Sequence, residues 1–203
     1  MNEIINYHQS GIQKSNVLKT LDLKKASYFV ASFHREENVD DNIRLKQIVD
    51  SLNSIATTFN FPVVLSTHPR TKKRLTDLGA QLHPLIQEMK PFGFFDYVRL
   101  QQDSYCTISD SGTITEESTL LNIPAITIRY AHERPEGMDE GTLIMCGLKT
   151  EEVLDAVKVV CEQFAEHGPM RQVADYLAPA VSRKIVRLVM SYTGYVNRTV
   201  WRK

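Results

Sequence analysis

The sequence predicts an α/β fold, a doubly wound parallel sheet of Rossmann-like type. Three observations predict it. Strand-like and helix-like stretches alternate along the whole chain. The strand-like stretches are short, apolar runs such as Tyr28-Phe29-Val30-Ala31-Ser32-Phe33, the pattern of strands covered on both faces. The connections between them are long enough to carry helices.

Residues 1–27 read as a lead-in segment, because Asn16-Val17-Leu18 and Leu21-Leu23 are too short to form a core. Residues 28–203 read as one domain. The first strand, 28–33, ends in His34-Arg35-Glu36-Glu37-Asn38. A helix follows, capped by Asp40 or Asp41, with Ile43, Leu45, Ile48, Leu52 and Ile55 at helical spacing. The second strand, 61–67, ends in His68-Pro69-Arg70 and leads into a short basic helix over 71–78, closed by Gly79. A third strand is predicted over 85–89. Residues 91–100 become helical toward their end.

Residues 105–109 are the fourth strand. Asp110-Ser111-Gly112-Thr113 turns from it into a short helix reaching Leu121. The fifth strand, 125–129, leads into a loop from His132 to Gly137, and 142–145 form a sixth. Val153, Leu154, Val157, Val160 and Cys161 share one face of a helix over 151–164. A last helix from Ala180 carries Val181, Ile185, Leu188 and Val189 on one side. The chain ends in an aromatic, polar tail from Tyr192 to Trp201. Its exposed rings either await a partner surface or pack locally.

The 24 basic and 24 acidic residues cancel to a net charge of +0. That argues against a nucleic-acid partner or an anionic membrane. No apolar run approaches the roughly 20 residues of a membrane span, and Met1 to Tyr7 carry no signal-peptide pattern. Hydrophobic residues make up 42% of the 203, enough for a core. Cys106, Cys146 and Cys161 are odd in number and widely spaced. They suggest neither a disulfide framework nor a metal site, and favour a reducing, cytoplasmic setting.

The functional signal lies at the strand ends. In a doubly wound sheet, ligands bind outside the carboxyl ends of the strands. There the sequence places His34 and Arg35, His68 and Arg70, the Ser111-Gly112 turn, and Arg134. A helix N-terminus offers unpaired N–H groups and positive dipole charge, so the Ser111 corner can hold a diphosphate without lysine. Glu117, one turn further in, can accept from vicinal ribose hydroxyls. Tyr97 and Phe94 can frame a flat base. Each residue also has a plainer reading. Ser111 can be a helix cap, Arg134 a surface partner of Glu133 or Glu136, and the aromatic cluster around Phe94 core. His34 can act as acid or base near neutral pH. The Glu36-Glu37 pair is either a base or simply solvated. His34 and His68 lack a third metal ligand.

These motifs together resemble the non-hydrolysing UDP-N-acetylglucosamine 2-epimerase family. The resemblance runs from about Tyr28 to the C-terminus through His34-Arg35-Glu36-Glu37-Asn38, Ser66-Thr67-His68-Pro69-Arg70, Asp110-Ser111-Gly112-Thr113 with Glu116-Glu117, and Glu133-Arg134-Pro135-Glu136. It implies the second domain of a type-B glycosyltransferase-like fold, with substrate in the cleft between two domains. It further implies that Ser111, Gly112 and Arg134 hold the diphosphate, with Arg35 also binding substrate. Glu117 would bind ribose, and the backbone around Tyr97 the uracil. His34 would be catalytic, and His68 a second pocket histidine.

Two departures stand out. Glu36 replaces the second arginine of the family's His-Arg-Arg-Glu-Asn motif, and Pro69-Arg70 replaces an asparagine neighbourhood. Together with the aromatic tail they resemble a subgroup making UDP-N-acetyl-L-fucosamine for capsule or O-antigen synthesis. The implied partners are a UDP-sugar and a missing N-terminal domain that carries the acidic catalytic residues. A homodimer is compatible with the reading. No nicotinamide or other cofactor is implied. The chain alone is then expected to bind nucleotide weakly and turn over little. The competing readings are a glycosyltransferase half and a non-enzymatic nucleotide-binding module.

Overall fold

A computed structural model describes residues 1–131 and 133–203. His132, predicted in the loop after the fifth strand, lies outside the described residues. Six parallel strands form one sheet: β1 Phe29–Ser32, β2 Val63–Ser66, β3 Ile86–Met89, β4 Cys106–Ser109, β5 Ala125–Ile128 and β6 Ile144–Cys146. Their spatial order is β3-β2-β1-β4-β5-β6. The chain therefore winds outward one way from β1 and, after β3, returns to β4 beside β1 and winds the other way. That is the doubly wound topology expected. The β6 pairing begins at Ile144, later than the sequence suggests.

The helices are α1 Asn2–Gln13, α2 Val17–Thr20, α3 Glu36–Val39, α4 Asn42–Phe59, α5 Pro69–Asp77, α6 Phe94–Asp103, α7 Ile114–Leu121, α8 Glu136–Asp139, α9 Thr150–His167 and α10 Val181–Thr199. On one sheet face Phe29, Ala31 and Ile108 pack with Leu45, Leu52 and Ile55 of α4 and Val153 and Val157 of α9. On the other, Val30 and Val64 pack with Val17 of α2 and Leu100 of α6. Alternate strand residues thus serve opposite layers, as the two-residue repeat requires.

Local chemistry sets the boundaries. Asp41, not Asp40, caps α4, accepting from Ile43 N at 2.8 Å and Arg44 N at 3.1 Å. Ile43 is exposed although it was predicted in the apolar stripe. It sits about 200° around the helix from Leu45, off the buried face. Pro69 opens α5 at a position where a missing N–H costs nothing. Residues 1–27, a lead-in on sequence grounds, form α1 and α2. Ile5 and Ile12 of α1 are buried with Val98 of α6. The last helix extends through the aromatic tail to Thr199 and has no buried residue.

Candidate functional site

The site is built where β1 and β4 lie side by side. Their chain connections leave in opposite directions, which opens a crevice beyond their carboxyl ends. Ser32 and Ser109 are register partners there. Their hydroxyls lie 2.9 Å apart, and the Tyr97 hydroxyl lies 2.9 Å from Ser32 Oγ. Above this floor is an open cleft of about 270 Å³, lined among others by His34, Phe94, Tyr97, Ser111, Thr113 and Glu117.

The Ser111 turn forms one wall. Ser111 N donates to Ser109 Oγ at 3.1 Å, and Ser111 Oγ accepts from Thr113 N at 3.3 Å. The residue preceding α7 is Thr113, so Ser111 is a turn former and not the helix cap. Gly112 sits between two guanidinium groups. A Cβ there would stand 3.6 Å from Arg35 Nη2 and 3.8 Å from Arg134 Cζ. Arg134 Nη1 donates to the Gly112 carbonyl at 2.7 Å and pairs with Glu116 Oε1 at 2.8 Å. Arg35 lies 3.9 Å from Glu133. Behind the loop the packing is tight: a Cβ on Gly137 would fall 2.2 Å from Thr115 Cγ2. Two cations and a helix N-terminus face one glycine, a geometry suited to an anion with two phosphate groups.

Asp110 is the organising residue that sequence reasoning left out of the site. Its carboxylate is 0% exposed. It accepts from the backbone N–H of His34 at 3.1 Å, from that of Arg35 at 3.0 Å, and from Asn38 Nδ2 at 3.2 Å. It also lies 3.3 Å from His34 Nδ1. Asn38, buried in α3, donates to the Ile128 carbonyl as well. One carboxylate thus ties the β1 loop to the β4 turn and fixes the His34 ring, which is half exposed toward the cleft. An aspartate directly after a buried strand, with an asparagine at the end of the facing motif, was the available signal. Gln101 is a second such residue. It is fully buried, and its Nε2 donates to Glu117 Oε2 at 2.6 Å.

His68 is exposed and does not line the cleft. Its Nδ1 accepts from Arg70 N at 3.3 Å, so the imidazole turns back to cap α5. Arg70, also expected on the rim, pairs with Glu36 at 2.6 Å and with Asp40. The two departures from the family motifs therefore contact each other, and Glu36 is engaged in an ion pair and not poised as a base. Glu37 lies 3.9 Å from Arg129. Among the described residues no group of three or more His, Cys, Asp or Glu is placed to hold a metal ion. No helix among them is long and apolar enough to cross a membrane.

Burial raises the Glu117 carboxyl above its ordinary value, opposed by hydrogen bonds from Gln101 and Thr113. Burial and the neighbouring Glu117 push the Tyr97 phenol up. A raised folded-state value means that the ionised Glu117 is disfavoured by folding. Stability is then lost as pH rises through that value. Glu117→Gln, which cannot ionise and can still accept from Gln101, is expected to melt slightly higher than wild type at pH 7. The difference should vanish near pH 4, as calorimetric melting at the two pH values will show.

A sequence profile of the UDP-N-acetylglucosamine 2-epimerase family matches residues 1–190. The chain belongs to that family. The match begins at residue 1, ahead of Tyr28, where the motifs alone start the resemblance. Among family relatives, the UDP-N-acetylglucosamine 2-epimerase of Methanocaldococcus jannaschii is 34% identical over 137 residues, which are 66% of this chain and 37% of that protein. The UDP-2,3-diacetamido-2,3-dideoxy-D-glucuronate 2-epimerase of Pseudomonas aeruginosa is 32% identical over 131 residues, 64% of this chain and 36% of that one. The structure of the Rickettsia bellii UDP-N-acetylglucosamine 2-epimerase superposes with a TM-score of 0.82 at 44% identity, covering 99% of this chain and 54% of that one. The Methanocaldococcus jannaschii enzyme in complex with UDP-GlcNAc and UDP superposes with a TM-score of 0.79 at 28% identity, covering 90% and 50%. This member of the 2-epimerase family therefore spans about half the length of the relatives it matches.

Proposed function

We propose that this chain is the UDP-binding half of a UDP-N-acetylhexosamine 2-epimerase. The observation that carries the reading is the convergence of Arg35 and Arg134 on Gly112, beside a cleft that His34, Tyr97 and Glu117 line. Arg35, Arg134 and the amides of the Ser111 turn hold the diphosphate. Glu117, oriented by Gln101, accepts from the ribose. The segment around Tyr97 and Phe94 borders the uracil. His34, its ring held by Asp110, faces the bond between sugar and UDP. His68 remains a candidate substrate contact only if its imidazole leaves α5.

Epimerisation proceeds by loss of the C2 proton and expulsion of UDP, giving a glycal. UDP then adds back while a proton arrives on the opposite face. The leaving diphosphate carries growing negative charge, and preoriented cations around it lower that barrier. The C2 acid–base chemistry falls to a further, N-terminal domain completing a type-B glycosyltransferase-like pair. α10 supports this second half. Its apolar face, with Ile185, Leu188, Val189, Tyr192 and Tyr195, lies open to solvent, a patch suited to a partner domain. We assign the chain to the cytoplasm and, from the Glu36 and Arg70 departures, to UDP-N-acetyl-L-fucosamine formation in capsule or O-antigen synthesis. A homodimer fits this role.

The test is a coupled epimerisation assay on the 203-residue chain with and without a family N-terminal domain. Turnover of a UDP-N-acetylhexosamine only with both present supports the reading. Full activity of the chain alone, or sugar transfer to an acceptor, contradicts it.

A further inference from the structure

We propose that Arg70, with Thr71 and Arg74 of α5, acts as a clasp that positions the His34–Arg35 segment in the cleft. The proposal rests on the UDP-binding reading above. The segment runs from Phe33 to Asp40 and contains only the four-residue helix α3. A single helical turn cannot hold its own shape, because nucleation fixes several dihedrals for one hydrogen bond. Its conformation must come from its neighbours. Asp110 and Asn38 supply the inner contacts. The outer contacts come largely from α5.

Buried Thr71 donates its hydroxyl to the Phe33 carbonyl at 2.8 Å, just before His34. Arg70 spans α3 from one end to the other: Nη1 meets Glu36 Oε1 at 2.6 Å and Nη2 meets Asp40 Oδ2. Arg74 donates through Nε to the Val39 carbonyl at 3.2 Å and through Nη2 to the Asp40 carbonyl. Three side chains on one face of α5 therefore grip the segment before, along and after α3. An isolated exposed ion pair contributes little. Here one planar guanidinium bridges two carboxylates four residues apart, a geometry that lysine cannot reproduce. None of these α5 side chains lines the cleft. Arg70 is thus a positioning residue acting through His34 and Arg35.

The test is a double-mutant cycle on UDP affinity, read by calorimetry, together with the His34 imidazole resonances by NMR. Arg70→Ala is expected to weaken UDP roughly 5- to 20-fold, with Arg70→Lys recovering only part. In an Arg35→Ala background the same substitution is expected to change affinity less than about twofold. The His34 ring signals are expected to move in Arg70→Ala even without nucleotide. An unchanged affinity in Arg70→Ala, or an equal loss in both backgrounds, overturns the clasp. If wild type binds no UDP, the functional reading falls instead. The clasp is then decided by the His34 signals alone: displaced, it stands; unmoved, it is overturned.

Discussion

Asp110→Ala is expected to destabilise the protein by about 3–5 kcal/mol and to abolish measurable UDP binding at concentrations that saturate wild type. The carboxylate accepts two backbone N–H groups and the Asn38 amide in a fully buried position. Removing it leaves the two backbone N–H groups without this acceptor and the Asn38 amide with only the Ile128 carbonyl, and each buried donor left unpaired costs about 1–3 kcal/mol. It also frees the β1 loop from the β4 turn, so His34 and Arg35 lose their place. Asp110→Asn should be nearly as damaging. Oδ1 and Oδ2 both accept, and an amide would turn an NH₂ group toward a donor. Urea unfolding of the three proteins, with calorimetric UDP titration of each, checks both halves. A loss below about 1 kcal/mol would mean that the carboxylate does not organise the site.

The second large effect concerns the two arginines. Arg35→Ala and Arg134→Ala are each expected to weaken UDP by roughly tenfold to a hundredfold, and the double variant by roughly a hundredfold to ten-thousandfold. Charge-assisted contacts to phosphate are worth about twice a neutral hydrogen bond. The distinguishing control is uridine. It lacks the diphosphate, so its affinity should change little in the same variants. Parallel loss of UDP and uridine binding would point to a collapsed cleft and not to a missing anion contact. Arg134 also pairs with Glu116, and Glu116→Gln is therefore expected to tighten UDP slightly by freeing a guanidinium.

These residues show what the sequence could reveal. The doubly wound sheet was legible because Phe29 to Ser32, Cys106 to Ser109 and Ala125 to Ile128 are short runs of apolar and small hydroxyl residues, and they are buried along nearly their whole length, as strands covered on both faces are. The rim location of Arg35, Ser111 and Arg134 followed from topology alone. Asp110 was harder to read. Its role depends on Asn38 and two amides more than 70 positions away in sequence, so the aspartate after β4 and the asparagine ending the facing motif signal it only when the two are brought together. His68 was misplaced because a strand-end histidine can face the cleft or cap its own helix, and only the Arg70 N–H decides. Helix α1 lies in the stretch read as a lead-in on Asn16-Val17-Leu18 and Leu21-Leu23, and it buries only Ile5 and Ile12, too few apolar positions to mark it. A Cβ on its Gly11 would stand 3.0 Å from Phe95 Cε2, so the glycine makes room for packing on α6. Helix α10 was legible as a helix, but its exposed apolar face has no counterpart among the described residues.

The most direct measurement is a backbone amide NMR titration of the chain with UDP. The largest shifts are predicted at Ser111, Gly112 and Thr113 and in the loop bearing Arg134, with smaller ones at His34 and Glu117. Shifts concentrated elsewhere, for example along β6 or α10, or a spectrum unchanged at millimolar UDP, would contradict a diphosphate site at the β1–β4 crevice.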